Sequence, residues 1–157
     1  MVPYGLNREQ FVSMYRRKLD ELSDQAIRVI ANLLARPIGQ GVDSAHVEIF
    51  LDEYGGAPSI WTYWRGKNNK VDHVDPSLFP GRSLQIDLCL SPLAEIDEQY
   101  FVGQDDFPGL QLAASTISRW FAESWWKAGG WSYSVPTTLA VHDFGSYGWV
   151  QLANGGT

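Results

Sequence analysis

The stretch GLQLAASTISRWFAESWWKAGGW, residues 109–131, decides how the chain is read. It has the period of an amphipathic helix and holds four of the seven tryptophans. At about 100° per residue, Leu110, Ala113, Ala114, Ile117, Phe121, Trp125 and Ala128 share one face, with Trp120 at its edge. Trp126 falls on the opposite side, close to Arg119. The pattern predicts a helix begun by Asp105 or Asp106, with Pro108 in its first turn, and ended by Gly129 and Gly130. Trp120 and Trp125 are expected in the core and Trp126 on the surface.

The rest of the chain supplies what this helix packs against. Residues 7–36 read as one long helix. Asn7 and Gln10 form a capping-box pattern at its start, and Pro37 stops it. Phe11, Tyr15, Leu19, Leu22, Ala26, Val29, Ile30 and Leu33 lie within an arc of about 100°. Ser23 can begin a new helix, but the uninterrupted stripe favours a single one. Residues 45–52 and 59–65 alternate or are rich in aromatic and β-branched side chains, and predict an antiparallel hairpin. A short strand at 71–74 and a loop at 75–81 follow. Leu84, Ile86, Leu88 and Leu90 give the cleanest alternation in the chain. Residues 137–143 and 147–152 predict a final hairpin, with a frayed tail at 153–157.

Helix, strands, helix and hairpin do not alternate as βαβ units do. They predict an α+β fold with an antiparallel sheet of about five to six strands. Its single domain, residues 1–157, would be packed on one face by the long N-terminal helix and the Trp-rich helix. The other face would carry His46, Glu48, Phe50, Asp52, Asp87 and Cys89 and stay open or partly covered.

Charge sets the expected partners. The chain has 157 residues, 18 acids against 12 bases and a net charge of −6. A negative potential opposes phosphate backbones and favours basic partners, so nucleic acid is not expected. Between residues 83 and 118 there is no Lys or Arg, yet Asp87, Glu95, Asp97, Glu98, Asp105 and Asp106 all fall there. The lone cysteine, the absence of a leader-like start and the absence of a long apolar run read as a cytoplasmic chain with no membrane partner.

Chemistry is sparse. His46 and Glu48 are two apart on a strand and point the same way, which makes them the best metal candidates. No third ligand is forced to converge on them. Cys89, His142 and Asp143 form a candidate nucleophilic set if their strands are neighbours, although Cys89 sits mid-strand. There is no Walker loop, no HExxH and no paired CxxC. No cofactor is expected. The tryptophans offer either core mass or a stacking surface.

The leading expectation is a non-catalytic protein-binding domain. Trp126, Trp61 and Tyr63 would be its anchors, and Glu95, Asp97, Glu98, Asp105 and Asp106 its steering charges. Small size, acidity and surface aromatics are similar to those of bacterial immunity proteins that neutralise basic toxins. That resemblance implies a basic protein partner and a steric mechanism. The alternatives are a small-ligand binder or hydrolase on the open sheet face, with His46, Glu48, Asp87, Cys89 and His142, and a homodimer without further activity.

Overall fold

The N-terminal region is two helices in the computed structural model, which describes residues 5–38, 41–66, 83–102 and 106–155. Helix α1 is Arg8–Asp20 and helix α2 is Ser23–Leu34. The capping box forms as its sequence predicts: the Gln10 amide donates to Asn7 Oδ1 at 2.8 Å, and the Asn7 amide donates to Gln10 Oε1 at 2.9 Å. The single long helix is corrected at Leu22, whose φ of −102° and ψ of 1° leave the helical region. The break delivers Ser23 Oγ to the indole N–H of Trp120, 2.9 Å away. Phe11, Tyr15 and Leu19 before it, and Ala26, Ile30 and Leu33 after it, still enter one core.

Among the described residues, five strands form one mixed sheet in the order β3-β2-β1-β4-β5. They are β1 Val42–Phe50, β2 Ser59–Gly66, β3 Ser83–Gln85, β4 Pro136–Val141 and β5 Val150–Asn154. The hairpin of β1 and β2 and the pairs β2–β3 and β4–β5 are antiparallel. The wholly antiparallel sheet is corrected by β4, which runs parallel to β1. Helix α3, Gly109–Lys127, intervenes between β3 and β4 and carries the chain back, so the next strand can enter in the direction of β1.

The strand expected at 84–90 ends at Gln85. The Ile86 amide still donates to Ile60 O, but Leu88 and Leu90 then donate to Ile86 O and Leu88 O, two residues back. These tight turns take over where β2 has no more residues to offer. Residues 91–102 hold two short 3-10 turns, Ser91–Glu95 and Glu98–Tyr100. The strand at 71–74, the loop at 75–81 and Asp105 lie outside the described residues. β5 takes in Ala153 and Asn154, so the strand runs two residues into the expected tail.

Helix α3 lies against β4 and β5 on one side and against α1 and α2 on another. Its buried residues run from Gly109 to Trp125 and cover an arc of roughly 240° at 100° per residue, leaving one outer stripe. Its N-cap is Pro108, with no side-chain capping bond, so Asp106 does not begin it. Gly129 closes its far end at φ 91°, in the left-handed region that glycine enters freely.

Val47, Ile49, Ile60, Thr62, Trp64, Leu139 and Val141 face the helices and are buried. The alternate residues form the other face. His46 is flanked by Tyr63 and Thr138, and Glu48 by Trp61 and Ala140. Among the described residues, no helix is long and apolar enough to cross a membrane.

Candidate functional site

The outer stripe of α3 becomes one wall of a groove. Ser115, Arg119 and Trp126 recur at intervals of four and seven, which keeps them on one side of the helix. The opposite wall is the turn between β4 and β5. That turn folds back on α3 because Gly148, at φ 88°, fits where a side chain would not. A Cβ there would lie 2.8 Å from Val141 Cγ2 and 3.1 Å from Ser118 Cβ. Ser118 Oγ donates to Gly148 O and closes the contact. Tyr147 and Trp149, on either side of Gly148, are thereby placed along the groove with Trp126.

The groove encloses about 470 Å³. Trp126, Tyr147 and Trp149 are 40%, 51% and 53% exposed, unusual values for rings of this size. Trp126 is nevertheless fixed, since its indole N–H donates to Leu152 O at 3.1 Å. All three rings line this groove together with Ser115, Arg119 and Glu123. A second groove of about 340 Å³, between α1 and α3, adjoins the first and shares Ser115 and Arg119.

Electrostatics divides the two arginines of this region. Arg16 pairs with Asp20 at 2.8 Å and with Glu123. Partial burial pulls its pKa down, but the bonds and charges of Glu123 and Asp20 outweigh that and push it up. Arg119, exposed at the groove, makes no ion pair among the described residues.

The anchors and acids expected from sequence do not share one surface. Trp126 lines the groove. Trp61 and Tyr63 are half-buried on the open face of the sheet. Glu95, Asp97 and Glu98 are exposed on the 3-10 turns beside α1, with Lys18 Nζ 3.9 Å from Glu95. Asp106 is exposed before α3, and its carbonyl accepts from Arg8.

The remaining candidates fall into three places. His46 Nδ1 lies 2.7 Å from Thr138 Oγ1, and His46 Nε2 lies 3.4 Å from Glu48 Oε1. His142 leans on Phe50, with ring centroids 5.0 Å apart, and its Nε2 is 3.5 Å from Asp143 Oδ1. Cys89 is exposed, with Sγ 3.4 Å from Ser91 Oγ. Cys89 follows β3 and His142 follows β4, with β2 and β1 between them. At about 4.8 Å per strand step those strands are roughly 14 Å apart, so the structure does not bring thiol and imidazole together. No group of three or more His, Cys, Asp or Glu residues among the described ones is arranged to hold a metal ion.

The Thr138–His46–Glu48 relay has the bonding order of a nucleophile, base and orienting acid. Thr138 lies in β4, however, between β1 and β5. Its backbone therefore takes part in pairing on both sides, with a register shift between Thr137 and Thr138 on the β5 side.

Tyr147 and Trp149 escape a reading by periodicity, because their place depends on how the turn folds onto α3. The available signal was local: two large aromatic residues flanking a glycine in a turn. Comparison of the chain with protein-family models, curated proteins and solved structures gives no match.

Proposed function

We propose that the protein acts without catalysis, by binding a partner protein of net positive charge, and that the groove between α3 and the β4–β5 turn is the contact. One observation carries this reading. Trp126, Tyr147, Trp149 and Arg119, of the three residue types that dominate binding energy at protein interfaces, line a single groove of about 470 Å³.

The partner would seat an apolar or aromatic side chain between the Trp126 and Trp149 rings. Arg119 and the Tyr147 hydroxyl would bond its backbone at the rim. The net charge of −6, with Glu95, Asp97 and Glu98 exposed, favours encounter with a basic surface. A neutraliser of a basic toxin, in the manner of an immunity protein, would use such an arrangement. The exposed lone thiol of Cys89 suits a reducing compartment.

Affinity capture from the native cell with the wild-type chain, Trp126→Ala and Trp149→Ala tests this. The wild type should retain a basic protein, and each variant should bind it about 30-fold more weakly or worse, as expected for interface anchors. Equal capture by the double variant would place the contact elsewhere. Sedimentation that shows a dimer lost in the same variants would instead make the groove a self-interface.

A further inference from the structure

The open face of the sheet carries a second arrangement, separate from the groove. Its residues are the alternate positions of the strands that face away from the helices. Trp61 and Tyr63 sit two apart on β2, so their Cα atoms are about 7 Å apart along the strand and their side chains share one face. Glu48 lies opposite Trp61, and His46 opposite Tyr63. Gln85 of β3 flanks Trp61 on its other side, and Gln151 of β5 flanks Thr138.

The polar groups are held in place. Thr138 and Glu48 fix the two ring nitrogens of His46 at 2.7 and 3.4 Å. If Glu48 accepts from Nε2–H, Nδ1 accepts from the Thr138 hydroxyl, and Glu48 Oε2 and a Thr138 lone pair remain for a ligand. Gln151 Nε2 donates to Thr137 O and Ala153 O, which leaves its Oε1 as a fixed acceptor. The Trp61 indole N–H and the Tyr63 hydroxyl make no hydrogen bond among the described residues and supply donors.

We infer that this face binds a neutral carbohydrate, with its C–H surface on Trp61 and Tyr63 and its hydroxyls on Glu48, Thr138 and Gln85. Charge separates this ligand from others. Among the described strand residues of the face, Arg65 is the cation and Glu48 a carboxylate, with Asp43 exposed in the β1 bulge beside Arg65. A face without excess positive charge, within a chain of net charge −6, gives a polyphosphate or sulfated polymer no footprint. A purely apolar occupant would leave the relay and the free donors unsatisfied. A sugar offers each hydroxyl as donor and acceptor and presents apolar C–H faces to aromatic rings.

The test is a titration of the isotopically labelled chain with neutral glucan, xylan and chitin oligosaccharides, with dextran sulfate as the charged comparison. At least one neutral series should shift the amides of His46, Trp61 and Tyr63. Tyr63→Ala and the isosteric Glu48→Gln should each weaken that binding about tenfold while the circular dichroism spectrum stays native. Trp131→Ala, at an exposed position off the face, should leave it unchanged. The inference is overturned if no neutral sugar shifts those amides at roughly 10 mM, if only dextran sulfate binds, or if folded Glu48→Gln and Tyr63→Ala bind as the wild type does.

Discussion

Trp120, Trp125 and Trp126 lie within one helical segment and meet three different environments. Trp120 is buried and gives its indole N–H to Ser23 Oγ. Trp125 is fully buried, meets Tyr133 edge-on at 5.7 Å, and lies so close to Gly130 that a Cβ there would be 2.2 Å from its Nε1. Trp126 is 40% exposed on the outer stripe. Trp120→Ala and Trp125→Ala should each lower unfolding free energy by about 3–5 kcal/mol in urea titration. Trp126→Ala should cost about 1 kcal/mol, mainly its bond to Leu152 O, and be felt chiefly in binding. Comparable losses at all three positions would mean that the outer stripe is as structural as the core. Tyr15 adds a pH dependence. Burial raises the pKa of its hydroxyl above the ordinary value of 10.0. The folded state therefore holds this proton more tightly than the unfolded state does. The associated stability is complete below about pH 10 and is lost as pH rises toward the folded value. Urea midpoints should fall above about pH 10, and fall less in Tyr15→Phe. An equal fall in both would assign the alkaline loss to other groups, of which Tyr133, also raised by burial, is the first to test.

At the scale of elements, periodicity revealed which faces are buried better than where elements stop. The stripe from Phe11 to Leu33 was legible, and Ser23 signalled the break, but the unbroken stripe outweighed that signal. Both helices still bury their apolar faces in one core across the turn, and Ser23 at the turn bonds Trp120, almost a hundred residues away in sequence. Ser23→Ala should therefore cost more than a surface change on α2. It leaves a buried indole donor unpaired, for a loss of about 1–3 kcal/mol measurable by thermal or urea unfolding. A change within experimental error would show that the indole finds another acceptor. Residues 84–90 illustrate the same limit from the strand side. Ile86 and Leu90 are buried as alternation predicts, yet a strand also needs a partner, and that information lies in β2. The parallel entry of β4 was hidden for a related reason, since strand direction follows from the path of α3. In the groove, the phase of Trp126 and its nearness to Arg119 were legible from one helix alone. Tyr147 and Trp149 join them through Gly148, whose role appears only when the turn meets Ser118 and Val141.

At the scale of the whole molecule, the acids of the 3-10 turns lie apart from the aromatic groove, and under the proposed binding role the two would act at different steps of association. Glu95, Asp97 and Glu98 stand on the 3-10 turns next to α1, whereas Trp126, Tyr147 and Trp149 line the groove beyond the middle of α3. Exposed charges act over about a Debye length, roughly 8–10 Å at physiological salt, and so govern encounter more than residence. Rings that lose water on docking govern residence. The two kinds of substitution should therefore divide in kinetics. Asp97→Asn with Glu98→Gln should slow association with a basic partner several-fold at low salt, leave dissociation nearly unchanged, and lose its effect as salt is raised. Trp126→Ala should leave association within about threefold and speed dissociation by an order of magnitude or more. Stopped-flow or surface-based kinetics at two salt concentrations separates these effects. Faster dissociation in the acid variant would put the 3-10 turns inside the contact. Slower association alone in Trp126→Ala would take the groove out of it.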